Sequence, residues 1–282
     1  MLFATLAAIL LLFVLPGDAL AWGPGVHTAA ARFVLANLDL LSPAVADMLA
    51  RHPLTFRYGC LSADFFVGKG TRVKPGHSHN WESARRLSDA ADTPQLAAHA
   101  LGYCCHLAAD VVAHNVYVPN VIADTAIPGS LTHVYVEMQA DSRLTGGFGL
   151  GGKLAGRAQR AVDRSMMQAL DKGAIGYYCR KRVFRGGVGL SGLRGWNRSL
   201  MFARRVMPLP DGGDTTLDEM FDLSLRCMLD VLHRGFGSVL TSFDPIGSRN
   251  LARAKRHVHA DLDARIADLP RLPRHQDVAE AV

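Results

Sequence analysis

The stretch Leu101–Pro119, LGYCCHLAADVVAHNVYVP, sets His106, Asp110 and His114 four residues apart among Leu, Ala, Val and Cys. Positions four apart on an α-helix lie one above another on one face. Each such step advances about 6 Å and turns about 40° past a full turn. The spacing therefore predicts a helix bearing two imidazoles and a carboxylate as a ladder on a face otherwise made of core residues. Polar and charged groups in such surroundings are costly without a partner. A divalent cation suits this set, because His nitrogen and Asp oxygen are ligands that zinc takes. A capped helix with a solvated polar stripe is the other reading of the same residues. Thr93-Pro94 provides the cap and first turn of this central helix.

Working outward, the chain has 282 residues, 49% hydrophobic and 20% charged, ample for a large core. Helical periodicity runs over 27–41 and from Pro43 to about Ala50. It resumes in AQRAVDRSMMQALDKG, in TTLDEMFDLSLRCMLDVLHRGF and in NLARAKRHVHADLDARIADLP, where His257 and His259 fall on the exposed side. VIADTAIPG after Pro119 reads as a connector, GGFGLGGKLAG as a loop, and RLPRHQDVAEAV as a tail. With no strand-like run and no internal repeat, the fold class is all-α. The five cysteines, at 60, 104, 105, 179 and 227, form no C-x-x-C, which excludes a zinc knuckle and a dithiol redox motif. They read mostly as core thiols. In an exported chain Cys60 has Cys104 or Cys105 as a pairing alternative.

The first stretch, MLFATLAAILLLFVLPGDALA, has an apolar run, a Pro-Gly break and Ala19-Leu20-Ala21. This is the layout of a secretory signal peptide, although its n-region carries no Lys or Arg. Cleavage is expected after Ala21, which makes residues 1–21 the signal and Trp22 the first residue of a secreted or periplasmic chain. That cut frees an α-amino group with a pKa near 8, low enough to give up its proton to a metal. His27 stands five residues on.

Further polar residues sit in apolar company. Asp64 lies beside Phe65 and Phe66, where a helix cap is the plainer reading, and His77 and His79 precede Trp81, a loop signal for a metal or a phosphate or else an ordinary surface pair. His133 and Glu137 are again four apart, so both can reach one ion from one helical turn. The formal net charge of +6 favours anionic partners. Arg180, Lys181, Arg182, Arg185, Arg194, Arg198, Arg204 and Arg205, interleaved with Phe184, Trp196 and Phe202, would suit a phospholipid membrane surface or a nucleic acid. An ordinary solvated face is the plainer alternative. No protein partner is implied.

Taken in order, Trp22, His27, Asp64, His79, His106-x-x-x-Asp110, His114 and His133-x-x-x-Glu137 resemble the bacterial zinc-dependent phospholipase C family. That family shares its fold with single-strand-specific zinc nucleases and with the amino-terminal domain of glycosylphosphatidylinositol-specific phospholipase D. The resemblance runs from Trp22 to Asp141 and implies an all-helical bundle holding three zinc ions. Carried over by position, it implies that Asp64, His79, His106 and Asp110 hold the first zinc, and that His114, His133 and Glu137 hold the second. The amine and carbonyl of Trp22, with His27 and the other oxygen of Asp110, would hold the third. The chain mixes features of the group. Its His114 follows Asp110 by four residues, as in the phospholipase D branch, where the phospholipase C enzymes and nucleases have six. The Trp22–His27 spacing is that of the nucleases, Glu137 follows the phospholipases, and His77 rivals His79.

Three functions follow as expectations. The first is an exported zinc phosphodiesterase of phospholipase C type, with Asp64 doubling as the base that orients the attacking water. The second is a nuclease on the same site, with Tyr103 or Trp81 stacking on bases. The third is a metal-stabilised binding protein without turnover, whose zinc sites would be closed. The expected organisation is one domain over 22–282, with a metal core at 22–141 and a helical extension at 142–282.

Overall fold

A computed structural model describes residues 22–66, 77–125, 129–145, 154–156, 159–191, 200–202, 205 and 213–272. Side chains at 129–134, 144–145, 189–191 and 213–215 fall outside that description. The fold is all-α, with no strand among the described residues. Its helices are α1 (Pro24–Ala36), α2 (Pro43–Arg51), α3 (Pro53–Ser62), α4 (Trp81–Asp89), α5 (Pro94–Val112) and α6 (Val118–Ala123). They continue with α7 (Gly129–Thr145), α8 (Arg160–Ala169), α9 (Ala174–Ser191), α10 (Gly213–Arg234), α11 (Ser248–Ala254) and α12 (Ala264–Ala267). Residues 1–21, and with them the expected signal, lie outside the described residues, as do the expected loop after Thr145 in its larger part and the expected tail beyond Leu272.

Proline sets the helix starts. Pro24, Pro43, Pro53 and Pro94 each open a helix, where the missing N–H costs nothing and the fixed φ is already helical. The first helix therefore begins three residues before His27 and stops at Ala36, short of the expected Leu41. A 3-10 turn over Leu38–Leu40 follows. Thr93 caps α5 by accepting from the Leu96 N–H at 3.3 Å, and Asn80 caps α4 by accepting from Glu82 at 2.9 Å.

The central helix is the axis of the core. The run Pro94–Ala123 is long and apolar enough to cross a membrane by composition, yet 83% of its most apolar stretch is buried inside the protein. Helices α3, α4 and α10 pack against α5, while α1 packs on α3 and α7. The α3–α5 crossing is close because both sides present glycine. A Cβ on Gly59 would stand 2.2 Å from the His99 carbonyl oxygen, and one on Gly102 2.1 Å from that of Phe56.

The chain does not turn into a connector after Pro119. A π-helical turn over Ala113–Tyr117 widens the helix, and α6 continues to Ala123. Proline has no N–H for the carbonyl four residues back, which is that of Asn115. The side-chain amide of Asn250 donates to that carbonyl instead, at 2.9 Å.

The stretch 250–270 is not one helix either. It breaks after Ala254, with His257 in the left-handed region at φ 56°, and resumes only at Ala264. His257 Nδ1 donates to the Ala123 carbonyl at 2.9 Å and His259 Nε2 lies 2.6 Å from Asp124, so the break docks this segment on the end of α6. All five cysteines are free; Cys60, Cys104, Cys105 and Cys227 are core thiols and Cys179 is exposed. The core-thiol expectation holds for these four, and the Cys60 pairing does not occur.

Candidate metal centre

Five polar side chains arrive at one buried place from four directions. His27 comes from α1 and Asp64 from a 3-10 turn, Ala63–Phe65, that ends α3. His79 comes from the loop before α4, and His106 and Asp110 come from α5. All five are 2% exposed or less.

His79 Nε2 lies 3.3 Å from Asp64 Oδ1, 3.0 Å from Asp110 Oδ2 and 3.1 Å from His106 Nε2. His106 Nε2 lies 3.2 Å from Asp110 Oδ2 and 3.7 Å from Asp64 Oδ1. These are five of the six edges of a tetrahedron. A tetrahedral zinc with bonds of about 2.0–2.1 Å has edges of about 3.3 Å, so the four atoms have the size of a zinc cage. On the far side of the same carboxylate, Asp110 Oδ1 lies 3.2 Å from His27 Nε2. The His27 and His106 rings stack at 3.9 Å. Two groups thus have the reach to hold an ion, Asp64–His79–His106 and His27–His106–Asp110.

The donor chemistry fits a cation. His27 Nε2 and both Asp110 oxygens are buried without a well-formed hydrogen bond, although nitrogen and oxygen atoms crowd around them. Buried polar atoms are nearly always satisfied; here they aim at common points between them. Burial pushes the Asp110 carboxyl up, but His106, His27 and His79 outweigh it and hold it well below the usual carboxylate range. Burial and the nearby His106 lower His27, against the pull of Asp110. Burial also pulls His106 down, yet Asp110 and Asp64 leave it raised. An anionic, N/O-lined cage of this kind matches zinc by ligand type and spacing.

Neighbouring carbonyls fix which nitrogen faces inward in two of the rings. His106 Nδ1 donates to the Cys60 carbonyl at 2.9 Å, which leaves Nε2 as its ligand-capable atom. The Gly59–Gly102 approach sits beside this bond, one residue from Cys60 and one helical turn from His106. His114 Nδ1 donates to the Pro245 carbonyl at 2.8 Å. His79 Nδ1 pairs with Ser78 Oγ at 3.2 Å. His77 Nδ1 accepts the His79 backbone N–H at 3.0 Å, so His77 buttresses the loop and it is His79 that joins the cluster.

The other expected site residues are placed as follows. His114 is buried in the π-helical turn and Glu137 is buried on α7. His133 lies on α7 as well, but its side chain is outside the described residues. Trp22 is fully buried; its ring stacks on Tyr117 at 5.2 Å and its indole N–H donates to Ser224 at 3.0 Å.

Several expected surface residues are interior. Lys181 is buried and donates to both oxygens of Asp163, at 2.9 and 2.7 Å, and Phe184 packs on Phe65 at 5.2 Å. Neither therefore contributes to a basic aromatic surface. Arg194, Trp196, Arg198 and Arg204 lie outside the described residues. Tyr103 is fully buried and donates to the Ser78 carbonyl, and Trp81 donates to the Phe243 carbonyl, so both are core residues and not base-stacking platforms.

Sequence reasoning missed two supports. Asp141, one turn after Glu137, accepts from the Gly25 and Val26 amides at 3.0 and 2.9 Å and so caps α1, the helix of His27. Burial pushes its carboxyl up to about 7, against the pull of those amides. Its i+4 position after Glu137 was the available signal. The second support is the turn Asp244–Gly247. Asp244 accepts from the Ile246 and Ser248 amides and so aims the Pro245 carbonyl at His114. Gly247, at φ 61°, leaves room for the His114 carbonyl, which a Cβ would meet at 2.1 Å. The Asp-Pro-x-Gly pattern marks a turn, but nothing local says what it faces.

A family model described as zinc dependent phospholipase C matches residues 26–183, more than half of the chain. No curated protein and no solved structure matches the chain. The matched segment carries all five converging side chains, and four of them have the spacing of a zinc cage. On these grounds the chain belongs to the zinc-dependent phospholipase C family.

Proposed function

We propose that this protein is an exported zinc-dependent phosphodiester hydrolase of phospholipase C type, acting on phospholipid headgroup phosphodiesters. The observation that carries the reading is the two-sided Asp110 carboxylate, with His79 and His106 at one oxygen and His27 at the other. On this reading Asp64, His79, His106 and Asp110 hold one zinc. His27 and the second Asp110 oxygen, with the amine and carbonyl of a Trp22 exposed by signal cleavage, hold another. His114, His133 and Glu137 hold a third. The domain is single over 22–282, with the Asp244–Gly247 turn serving the metal core from the carboxy-terminal half.

Zinc bound in such a cluster supplies hydroxide near neutral pH and stabilises charge on phosphoryl and leaving oxygens. The chain's own residues do the rest. Asp64 presents a buried carboxylate beside His79 and His106, where it can take and hold the proton of an attacking water. The carbonyls of Cys60 and Pro245 lock two imidazoles in the ligand tautomer, so no ring must reorient on substrate binding. All five converging side chains are buried, and charge interactions among them are stronger there than in water.

The test is headgroup release from phosphatidylcholine and phosphatidylinositol by purified exported protein, with and without a chelator, beside a single-stranded DNA arm. Chelator-sensitive release of a phosphorylated headgroup supports the reading. Degradation of DNA with no lipid turnover replaces it by the nuclease, and zinc-replete protein inert towards both sinks the enzyme.

A further inference from the structure

We propose that the outer face of α9 is an interfacial surface that docks the protein on a bilayer containing anionic lipid. Tyr177, Lys181, Phe184 and Val188, at i, i+4, i+7 and i+11, turn inward and are buried. The opposite face carries Ile175, 84% exposed, Val183, 58% exposed, and Tyr178, 46% exposed. At about 100° per residue, Ile175, Tyr178, Arg182 and Val183 share one stripe. Arg180 and Arg185 border it on either side. All three arginines are exposed, and α9 contains no acidic residue. The helix's one lysine is withdrawn from the surface by its pair with Asp163.

The concentration of apolar surface here is specific. Of seven exposed large hydrophobic residues among the described residues, three (Ile175, Tyr178 and Val183) lie on this one helix. An aliphatic stripe bordered by arginines has the amphipathic layout of a helix lying in the headgroup region, with apolar side chains in the acyl boundary and cations on phosphates. Nucleic acid would pair the arginines but give Ile175 and Val183 nothing to stack on, so the aliphatic residues favour lipid. The position also makes sense of the metal centre, because the buried face of α9 packs on the turn that carries Asp64, through Phe184 against Phe65. One helix, about 10–12 Å across, would separate the membrane from that turn. The proposal rests on the phospholipid reading for its purpose, but docking itself needs neither zinc nor turnover.

The full exported chain is tested by co-sedimentation with phosphatidylcholine vesicles, with and without phosphatidylserine. A second readout uses Cys179, which is exposed on this face while the other four cysteines are buried. An environment-sensitive fluorophore on it reports directly from the surface. The expected result is binding and a blue shift with phosphatidylserine vesicles, reduced by salt and retained after zinc is stripped. Arg180→Gln, Arg182→Gln and Arg185→Gln together weaken partitioning by roughly 100-fold, at about fivefold per arginine. Ile175→Ser with Val183→Ser weakens it by at least about tenfold. Arginine-to-lysine replacements restore it. All these side chains are exposed, so melting temperature and hydrolysis of a short-chain monomeric phosphodiester stay unchanged. Equal binding by wild type and both variants, no shift on vesicles, a shift with single-stranded DNA alone, or a concentration-dependent shift without vesicles each overturns the proposal. Vesicle binding without hydrolysis of any phosphodiester leaves the docking surface standing and removes the enzymatic reading.

Discussion

His79 and His106 bring their Nε2 atoms to 3.1 Å of each other in a fully buried pocket, one from a loop and the other from the central helix. His106 has committed its Nδ1 hydrogen to the Cys60 carbonyl. When that ring is neutral, its Nε2 presents a lone pair to His79, and two carboxylates press on the same point. Lone pairs and negative charge gather in this way around a cation.

Replacing Asp110 is the sharpest single change, because its oxygens serve both sides of the cluster. Asp110→Asn should cost well over the roughly 10–100-fold that outer-shell partners contribute, with helicity retained. Phosphodiester turnover beside circular dichroism checks this, and activity within tenfold of wild type would contradict it.

The α3–α5 crossing has no space to give. Gly102→Ala puts a methyl 2.1 Å from the Phe56 carbonyl oxygen, which is backbone and cannot swing away. The helices must part, costing about 1–3 kcal/mol or more, and the Cys60 carbonyl moves with α3. Denaturant melts should show that loss together with weakened zinc retention.

Lys181 and Asp163 are a buried pair joined by the hydroxyls of Tyr58 and Tyr177. Lys181→Met leaves the carboxylate buried without its cation, which costs about 3–5 kcal/mol. Adding Asp163→Asn should recover much of the loss. A double-mutant cycle measures this, and additive single effects would refute it.

His99, bonded to Ser62, gives a pH signature independent of the proposed ligands. Burial lowers its pKa from 6.5 to about 3. The unfolded ring takes its proton near 6.5 and the folded one only near 3, so between those values the unfolded chain binds more protons. Its contribution to stability is whole above pH 6.5 and is lost as pH falls towards 3, by up to about 1.4 kcal/mol per pH unit. His99→Gln should flatten the wild-type slope in that window, as urea midpoints at stepped pH will show.

Much of this was legible in the chain. The four-residue spacing of His106, Asp110 and His114 placed them on one helix, and Pro43 and Thr93-Pro94 marked where two helices start, while the starts at Pro24 and Pro53 went unread. Asp64 among phenylalanines and the pair His77 and His79 beside Trp81 were visible, but it was the family resemblance, not their neighbours, that singled out Asp64 and His79 as ligands. What stayed hidden was non-local. Asn250 replaces the hydrogen bond that Pro119 cannot make, Pro245 orients His114, and Lys181 turns inward to Asp163. Each joins positions far apart in sequence, and periodicity reports only which face of its own helix a residue occupies. The helical reading of 250–270 failed for the same reason, since His257 leaves the helix to reach Ala123.

Zinc-edge anomalous diffraction from crystals of the exported protein tests the central claim most directly. The account predicts a peak at about 2.0–2.1 Å from His79 Nε2, His106 Nε2 and the nearer Asp110 oxygen, with another beside His27 on the carboxylate's other oxygen. Zinc-supplemented crystals with no peak in that cage, and these side chains bonded only to one another or to water, would contradict it.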